Sequence, residues 1–161
     1  MVTEYHYHAA DDFAIEVEYF SMPALTNQLR NLLQSYRNFH LYEDRLDRDE
    51  REDKEKLARV AKDTFDAMFP GRMRDESFLL GDSEQDVLQT LTSWLEDVYP
   101  RAGGRADGLT LTACGSTLAQ LSSQSSRPGD PAAWPFIRKI KFVSIILTEP
   151  LVANSRYQSF P

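Results

Sequence analysis

The sequence has 161 residues, of which 42% are hydrophobic, and its formal net charge is −7. This length and apolar content suit one domain, or a large part of one, with a real core. A chain this acidic repels phosphate overall, which argues against a general nucleic-acid binder or a protein of anionic membrane surfaces. Its single cysteine excludes an intramolecular disulfide and argues against a cysteine-ligated metal site.

The N-terminal residues 1–10 carry His, Tyr and Glu, and they lack the basic stretch and apolar core of a signal peptide. No apolar run approaches the roughly 20 residues that span a bilayer. We therefore expect an intracellular protein, of the cytoplasm or nucleus, with no membrane span. His6 and His8 would share one face of a strand, with Asp11 and Asp12 close behind, and these side chains suit zinc. Because a third dedicated ligand is not evident, a plain polar surface is the favoured interpretation.

The stretch Phe13 to Phe20 alternates apolar and polar residues and predicts a half-buried strand. Ser21 then caps a helix that has Pro23 in its first turn, where a missing N–H costs nothing. The helix carries an apolar stripe at helical spacing, formed by Leu25, Leu29, Leu32, Leu33 and Tyr36. His40 is expected near the helix end as a cap or surface residue.

The run Asp44 to Lys56 is dense in both signs of charge, with acidic and basic residues three and four apart. This spacing predicts a solvated helix with many weak ion pairs, and an interaction surface is the alternative interpretation. Pro70–Gly71 ends the helix. Its predicted apolar face consists of Leu57, Val60, Ala61, Phe65, Met68 and Phe69.

A further helix is predicted after the short apolar stretch 78–80, with Asp82 or Ser83 as its cap and Asp86 completing a capping box. Its buried face is predicted to contain Val87, Leu88, Leu91, Trp94, Leu95 and Val98. Glycines 103, 104 and 108 break the pattern, and Leu109 to Leu121 predicts a short, weak helix. The composition of 122–133 predicts a flexible linker.

The chain closes with a predicted strand from Ile137 to Leu147, which Trp134–Pro135 opens. Its nearly continuous apolar second half suits a strand covered on both faces. Arg138, Lys139 and Lys141 form the only compact basic group of the sequence. Two strands alone make a marginal sheet, so we expect either further strands from elsewhere or an incomplete chain.

Two stretches contain residue types found in reactive or phosphate-binding sites. Cys114 has no histidine near it in sequence, so a small semi-buried residue is a better interpretation than a thiol nucleophile. Gly108 and Gly115, with Ser116 and Thr117, fail as a phosphate loop because their spacing is wrong and the lysine is absent. We therefore predict no catalytic, cofactor-binding or metal-binding residue.

Five stretches stand out in order along the chain: VTEY at 2–5, FAIEVEYFS at 13–21, LLQSYRNFHL at 32–41, DTFDAMFPGR at 63–72 and WPFIRKIKF at 134–142. Together they resemble the dynamin-type large GTPase-like proteins of filamentous fungi that are similar to the nuclear GTPase SLIP-GC. The resemblance covers most of the chain, and it implies the segment between the switch I threonine and the Asp-x-Pro-Gly element called G3. Thr3 is the residue nearest to switch I, whose threonine would precede Met1.

The resemblance implies an α/β, mostly helical fold in which two antiparallel strands of a partial P-loop GTPase-like sheet frame a helical insertion. The chain would be a single partial domain over 1–161. Residues 1–20 and 134–153 would supply the strands of the incomplete core, 21–121 the helical insertion and 122–133 the linker. Where the family continues into G3, this sequence continues as SRYQSFP after Asn154. A truncated product and a gene model that runs through an intron both remain open.

The implied function follows from what the segment lacks. The phosphate loop, the magnesium ligands and the base-specificity motif cannot be placed in it, so the chain alone is expected neither to bind nor to hydrolyse GTP. GTP and magnesium are expected only for a full-length parent. The alternative is a helical interaction module that docks a protein partner or another copy of itself. A metal-dependent hydrolase built on His6, His8 and Asp11 is a remote third.

Overall fold

The computed structural model describes residues 2–5, 13–42, 47–73, 75–81, 83–100, 104–122 and 129–144. Its elements in chain order are strands β1 (Val2–Tyr5) and β2 (Phe13–Tyr19), helices α1 (Met22–Tyr42), α2 (Arg48–Met68), α3 (Ser77–Gly81) and α4 (Glu84–Val98), strand β3 (Arg105–Leu109), helix α5 (Leu111–Ser122), a 3-10 turn (Trp134–Phe136) and strand β4 (Ile137–Ser144). The described part is mostly helical, with one small sheet, as predicted.

Helix α1 begins as its sequence predicts. The Ser21 carbonyl accepts a hydrogen bond from the Leu25 N–H at 3.0 Å, and the Ser21 hydroxyl lies 3.4 Å from the Ala24 N–H. The first contact is the first hydrogen bond of the helix itself, and the second provides a partner for an amide that a helix leaves without one in its first turn. The predicted stripe is buried at Leu25, Leu29, Leu33 and Tyr36, Leu32 is only partly buried, and Phe39 extends the buried face. The stripe therefore points α1 into the core.

Helix α2 begins after Asp47, whose carboxylate accepts a hydrogen bond from the Glu50 N–H at 2.8 Å. The predicted buried face is correct for Ala61, Phe65 and Met68 but wrong for Leu57 and Val60, whose side chains are 55% and 56% exposed. Ala58 and Ala61 are buried instead. Leu57 and Val60 each precede one of these alanines, so they lie about 100° away around the helix.

One cluster, here called the helical core, joins α1, α2, α3 and α4. Ser83 caps α4 by accepting a hydrogen bond from the Asp86 N–H, as the capping-box pattern predicted. Asp82 lies outside the described residues. The buried members of the helical core are Leu25, Leu29, Leu33, Tyr36, Phe39, Ala58, Ala61, Phe65, Met68, Phe69, Met73, Leu79, Val87, Leu91, Leu95 and Phe136.

The four strands form a sheet in the order β1-β4-β2-β3. Strands β2 and β4 are antiparallel neighbours, with Val17 opposite Ile140, so the predicted pairing of the two framing strands is confirmed. Strand β3 pairs antiparallel with β2, whereas β1 runs parallel to β4. The sequence predicts only a break at glycines 103, 104 and 108 and no strand there, whereas residues 105–109 form β3, the partner for the outer edge of β2.

A second cluster, here called the sheet core, lies where α5 packs against the strands. Its buried members are Ile15, Val17, Cys114, Ile137 and Ile140. Leu109, Leu118 and Leu121 pack around them while remaining partly exposed. The predicted short helix is confirmed, but it begins at Leu111 because Leu109 belongs to β3 and the Thr110 hydroxyl accepts a hydrogen bond from the Ala113 N–H.

The two cores meet at the turn before β4. Trp134 and Pro135 lie in the 3-10 turn and do not open the strand as predicted, because β4 begins at Ile137. Phe136 is buried in the helical core and Ile137 in the sheet core. Residues 123–128 of the predicted linker and 145–147 of the predicted strand lie outside the described residues. The linker's end is packed, since Ala132 is buried and donates its N–H to the Ala67 carbonyl.

Candidate functional site

The possible metal-binding stretch at the N-terminus is not among the described residues. His6, His8, Asp11 and Asp12 lie outside the described residues. Among the residues that are described, no three His, Cys, Asp or Glu side chains are grouped so that they could hold a metal ion. Within the same residues, no helix has the length and apolar composition needed to cross a membrane.

Neither the thiol of Cys114 nor the stretch with Gly108 and Gly115 lies in a setting that suits catalysis or phosphate binding. Cys114 is buried in the sheet core, and this burial raises the pKa of its thiol, so the reactive thiolate is disfavoured. Gly108 has a φ of 68° within β3, and Gly115 lies in the interior of α5. Because the two glycines belong to different elements, they do not form one loop around a phosphate.

The charged stretches are largely paired on the surface. Arg138 lies 3.3 Å from Glu18, and Lys141 lies 3.7 Å from Glu16, across the β2–β4 pair. The basic group of β4 is therefore offset by β2 and does not form an open anion site. On α2, Lys56 contacts Glu52 at 2.8 Å. This helix has the solvated, ion-paired face that was the favoured interpretation, while its role as an interaction surface stays a prediction.

An open groove runs between α1 and α4. It has a volume of about 750 Å³ and is lined by Thr26, Arg30, Glu84, Gln85, Leu88, Gln89, Thr92, Ser93 and Glu96. One property of the sequence favours such a groove: α4 contains no Lys or Arg, and much of its outer face consists of uncharged hydroxyl and amide side chains. A helix face of this kind can make hydrogen bonds without first breaking ion pairs.

The ends of the groove carry carboxylates. Glu84 and Glu96 lie twelve positions apart in the sequence, which is about 18 Å along a helix axis. Glu84 accepts a hydrogen bond from the Gln34 side chain at 3.2 Å, which ties α4 to α1 at one end. Arg30 donates to the Asn27 side chain at 3.0 Å on the opposite wall. The groove can therefore offer donors and acceptors along its length to a polar partner.

A second polar cluster joins α1, α2 and the start of α3. The Tyr36 hydroxyl donates to one carboxylate oxygen of Glu76 at 2.8 Å, and the Lys62 ammonium lies 3.0 Å from the other. Lys62 also contacts Asp66 at 2.8 Å. His40 lies in the last turn of α1, exposed, with its ring 4.4 Å from the Tyr36 ring. The surface position predicted for His40 is correct.

The protonation of this cluster follows from burial and charge. Burial, and then the hydrogen bond to the Glu76 carboxylate, raise the pKa of Tyr36 to about 12. Burial alone would raise the pKa of Glu76, but the bonds from Lys62 and Tyr36 and the nearby positive charges outweigh it and lower that pKa. The hydrogen bonds to Asp66 and Glu76 raise the pKa of Lys62. The cluster therefore holds a neutral phenol, a carboxylate and an ammonium near neutral pH.

Trp94 is only partly buried, although the sequence placed it in the core. Its ring meets the rings of Phe69 and Phe78 edge-on, with centroids 5.7 and 5.5 Å away. The Arg72 guanidinium lies 5.7 Å from the ring centroid and also contacts Asp97 at 2.9 Å. This contact covers the outer part of the indole, so Trp94 lies at the rim of the helical core.

Comparison with known proteins gives no match: no family model, no curated protein and no solved structure matches this chain.

Proposed function

We propose that the chain corresponds to the segment between switch I and G3 of a dynamin-like GTPase-related protein and that, alone, it neither binds nor hydrolyses GTP. The observation that carries this proposal is the antiparallel pairing of β2 with β4 although α1, α2, α3, α4, β3 and α5 all lie between them in sequence. That arrangement agrees with two neighbouring strands of a GTPase-like sheet that frame an insertion.

The structure also departs from the expected arrangement in one respect. Strand β3 and helix α5 belong to the stretch 21–121, yet they complete the sheet region and not the helical core. In this proposal the insertion therefore has two parts, a helical part that packs on itself and a smaller part that extends the sheet beyond β2.

The expected inactivity follows from the chemistry of phosphoryl transfer. Hydrolysis needs a phosphate cradle, magnesium ligands and a positioned water. Neither the sequence nor the described residues supply the first two as a set, and Gly108 and Gly115 are in separate elements. GTP and magnesium would belong to a longer parent protein, for which this segment would contribute two core strands.

The direct test measures binding of a fluorescent GTP analogue to the purified chain with and without magnesium. We expect no saturable signal up to high micromolar protein. Micromolar affinity would contradict the proposed inactivity. A full-length transcript read across the locus tests the relationship separately: we expect Gly-x-x-x-x-Gly-Lys-Ser upstream and Asp-x-Pro-Gly downstream in the same frame, and their absence from a complete transcript would reject it.

A second candidate function is favoured by the groove between α1 and α4. An open, hydrogen-bonding groove on a stable helical scaffold suits a module that binds a protein partner or a second copy of this chain. Self-association is the version that can be tested without knowing a partner. Sedimentation of the wild-type chain from low to high micromolar concentration would show a rising mass.

The groove's part in such association is tested by substitution. Gln89→Arg places a long cation inside the groove, and Asn38→Arg makes the same kind of change on an exposed position of α1 that does not line it. We expect Gln89→Arg to lower the association constant at least tenfold and Asn38→Arg to leave it unchanged. A wild-type monomer at all concentrations, or equal effects of both variants, would exclude self-association through this groove.

A further inference from the structure

Residues 75–81, here called the strap, lie between α2 and α4 in the sequence, and their apolar side chains pack into the helical core. Leu79 is fully buried there, and Phe78 and Leu80 pack against the same cluster. The helix within the strap, α3, has five residues, which is far shorter than the roughly 12–15 residues that an isolated helix needs to be even marginally stable. The strap therefore depends on its contacts with the surrounding helices.

Polar contacts fasten the strap to both helices of the α1–α2 pair. Glu76 uses its two carboxylate oxygens separately, one for the Tyr36 hydroxyl of α1 and one for the Lys62 ammonium of α2. On the α1 side, the Arg37 guanidinium donates to the Leu79 carbonyl at 2.6 Å. Within the strap, the Asp75 carboxylate accepts from the Ser77 N–H at 2.9 Å. One carboxylate thus connects three elements.

The groups around Glu76 make its negative charge important for this connection. From α1 it faces the Tyr36 hydroxyl and the positive charge that His40 can carry, and from α2 it faces Lys62, which Asp66 also holds. If Glu76 becomes neutral, Lys62 keeps its ion pair with Asp66 and loses the charge attraction that holds it to the strap. The buried Tyr36 hydroxyl then keeps only a weak neutral acceptor.

We propose that the strap is a conformational device that opens as a unit, ahead of the rest of the helical core, when the Glu76 side chain loses its charge. Opening removes Leu79 from the core and separates Phe78 from Trp94, while α1, α2 and α4 keep their mutual packing. The inference rests on the geometry of the strap and is independent of any relationship to GTPases.

The direction of the pH dependence follows from the lowered pKa of Glu76. A carboxyl whose pKa is lower in the folded protein stabilises the fold above its unfolded pKa, and this stabilisation is lost as pH falls through the folded pKa. The strap should therefore be closed at neutral pH and should open in acid.

The main test compares hydrogen exchange in the full chain and in Glu76→Gln at neutral pH. Because hydrogen bonds to charged groups contribute roughly 1.5–3 kcal/mol, we expect amides of the strap to exchange roughly ten- to a hundredfold faster in the variant. Peptides from α1, α2 and α4 should change little. Lys56→Gln, which breaks an exposed ion pair on α2, serves as the matched control and should leave the strap unchanged.

A second measurement follows the strap through Trp94, whose ring lies 5.5 Å from that of Phe78. In a Trp134→Phe background the fluorescence of Trp94 should change in acid before the helical circular dichroism is lost, and Glu76→Gln should show the acid-type spectrum already at neutral pH. An unchanged strap in Glu76→Gln by both methods overturns the proposal. So does a uniform loss of protection across all helices, because the strap would then not be a separate unit.

Discussion

The helical core and the sheet core differ in how much apolar side-chain area they bury. The helical core encloses complete aromatic and aliphatic side chains from four helices, including Phe65, Phe69 and Leu91. Among the residues whose burial is described, the sheet core has five buried members, and the opposite face of its strands carries the charged residues Glu16, Glu18 and Lys141. Hydrophobic stabilisation scales with buried apolar area, so within these residues the helical core contributes most of the hydrophobic stabilisation.

The two cores are nevertheless connected by specific contacts. The Phe20 N–H donates to the Phe136 carbonyl at 2.9 Å, and the Tyr99 hydroxyl donates to the Phe20 carbonyl at the same distance. Tyr19 packs against both clusters. We infer that the helical part holds the 3-10 turn before β4 in place. The sheet then extends from this junction.

The largest expected effect is on the free energy of unfolding, and a matched pair of substitutions compares this effect in the two cores. Leu91→Ala and Ile140→Ala remove the same number of carbon atoms from fully buried positions. We expect Leu91→Ala to cost about 4 kcal/mol and Ile140→Ala about 2 kcal/mol, within the range for such truncations, because the smaller sheet core can collapse more easily around a cavity. Urea unfolding followed by circular dichroism at 222 nm measures both.

Cys114 provides a second probe that is specific for the sheet core. It is the single cysteine and it is buried, so its rate of reaction with a thiol reagent reports opening of that region. Ile140→Ala should accelerate the reaction strongly, whereas Leu91→Ala should do so only near global unfolding. If both variants move both probes together, the chain is one cooperative unit and the comparison between two cores fails.

A smaller effect on stability is expected at alkaline pH, and only the helical core should show it. The pKa of Tyr36 is raised to about 12, against about 10 in an unfolded chain. A group whose folded pKa is raised gives its full contribution below the unfolded pKa and loses it as pH rises through the folded one. The stability difference between wild type and Tyr36→Phe should therefore be constant below pH 10 and shrink between about pH 10 and pH 12.

Chemical denaturation at a series of pH values measures this difference. Tyr19 offers the control, because burial alone raises its pKa, whereas the hydrogen bond to Glu76 adds to the shift of Tyr36, and Tyr19 lies at the junction of the cores. Thiol labelling of Cys114 should not respond to the titration of Tyr36. A constant difference through pH 12 would show that Tyr36 is free to ionise in the folded chain.

The sequence predicted the elements whose signals are local. The alternation of β2 and the apolar spacing of α1 and α4 each identify one element without reference to the rest of the chain. The same reasoning placed Leu57 and Val60 in the core, which is wrong, because periodicity defines a helix face but not how far a neighbouring helix covers it. The resemblance, and not periodicity, predicted the antiparallel pairing of β2 and β4.

The features that escaped prediction depend on distant partners. Strand β3 has the sequence RADGL, which neither alternates nor favours a strand, and it forms because the edge of β2 is open. The contact between Tyr36 and Glu76 joins residues forty positions apart. The groove arises from the relative placement of α1 and α4, which the lack of Lys and Arg in α4 does not by itself reveal, so both candidate sites required the three-dimensional structure.

Helix caps should give effects of intermediate size that again differ between the cores. Ser83→Ala removes the cap of α4 and should cost about 1 kcal/mol. Thr110→Ala removes the corresponding cap of α5. It should mainly accelerate labelling of Cys114, because α5 belongs to the sheet core. Ser93→Ala, in the interior of α4, is the control and should be neutral or slightly stabilising, since alanine is the better helix former. Equal losses for Ser83→Ala and Ser93→Ala would exclude the capping explanation.

The smallest effects are expected from the exposed ion pairs, and these should be alike in both regions. Lys56→Gln breaks the pair with Glu52 on α2, and Arg138→Gln breaks the pair with Glu18 across β2 and β4. Because water and salt screen exposed charges, neither change should shift the melting temperature measurably at physiological ionic strength. A clear fall in melting temperature for Arg138→Gln alone would show that the cross-strand ion pair stabilises the sheet. The sheet would then be more stable than its small apolar core indicates.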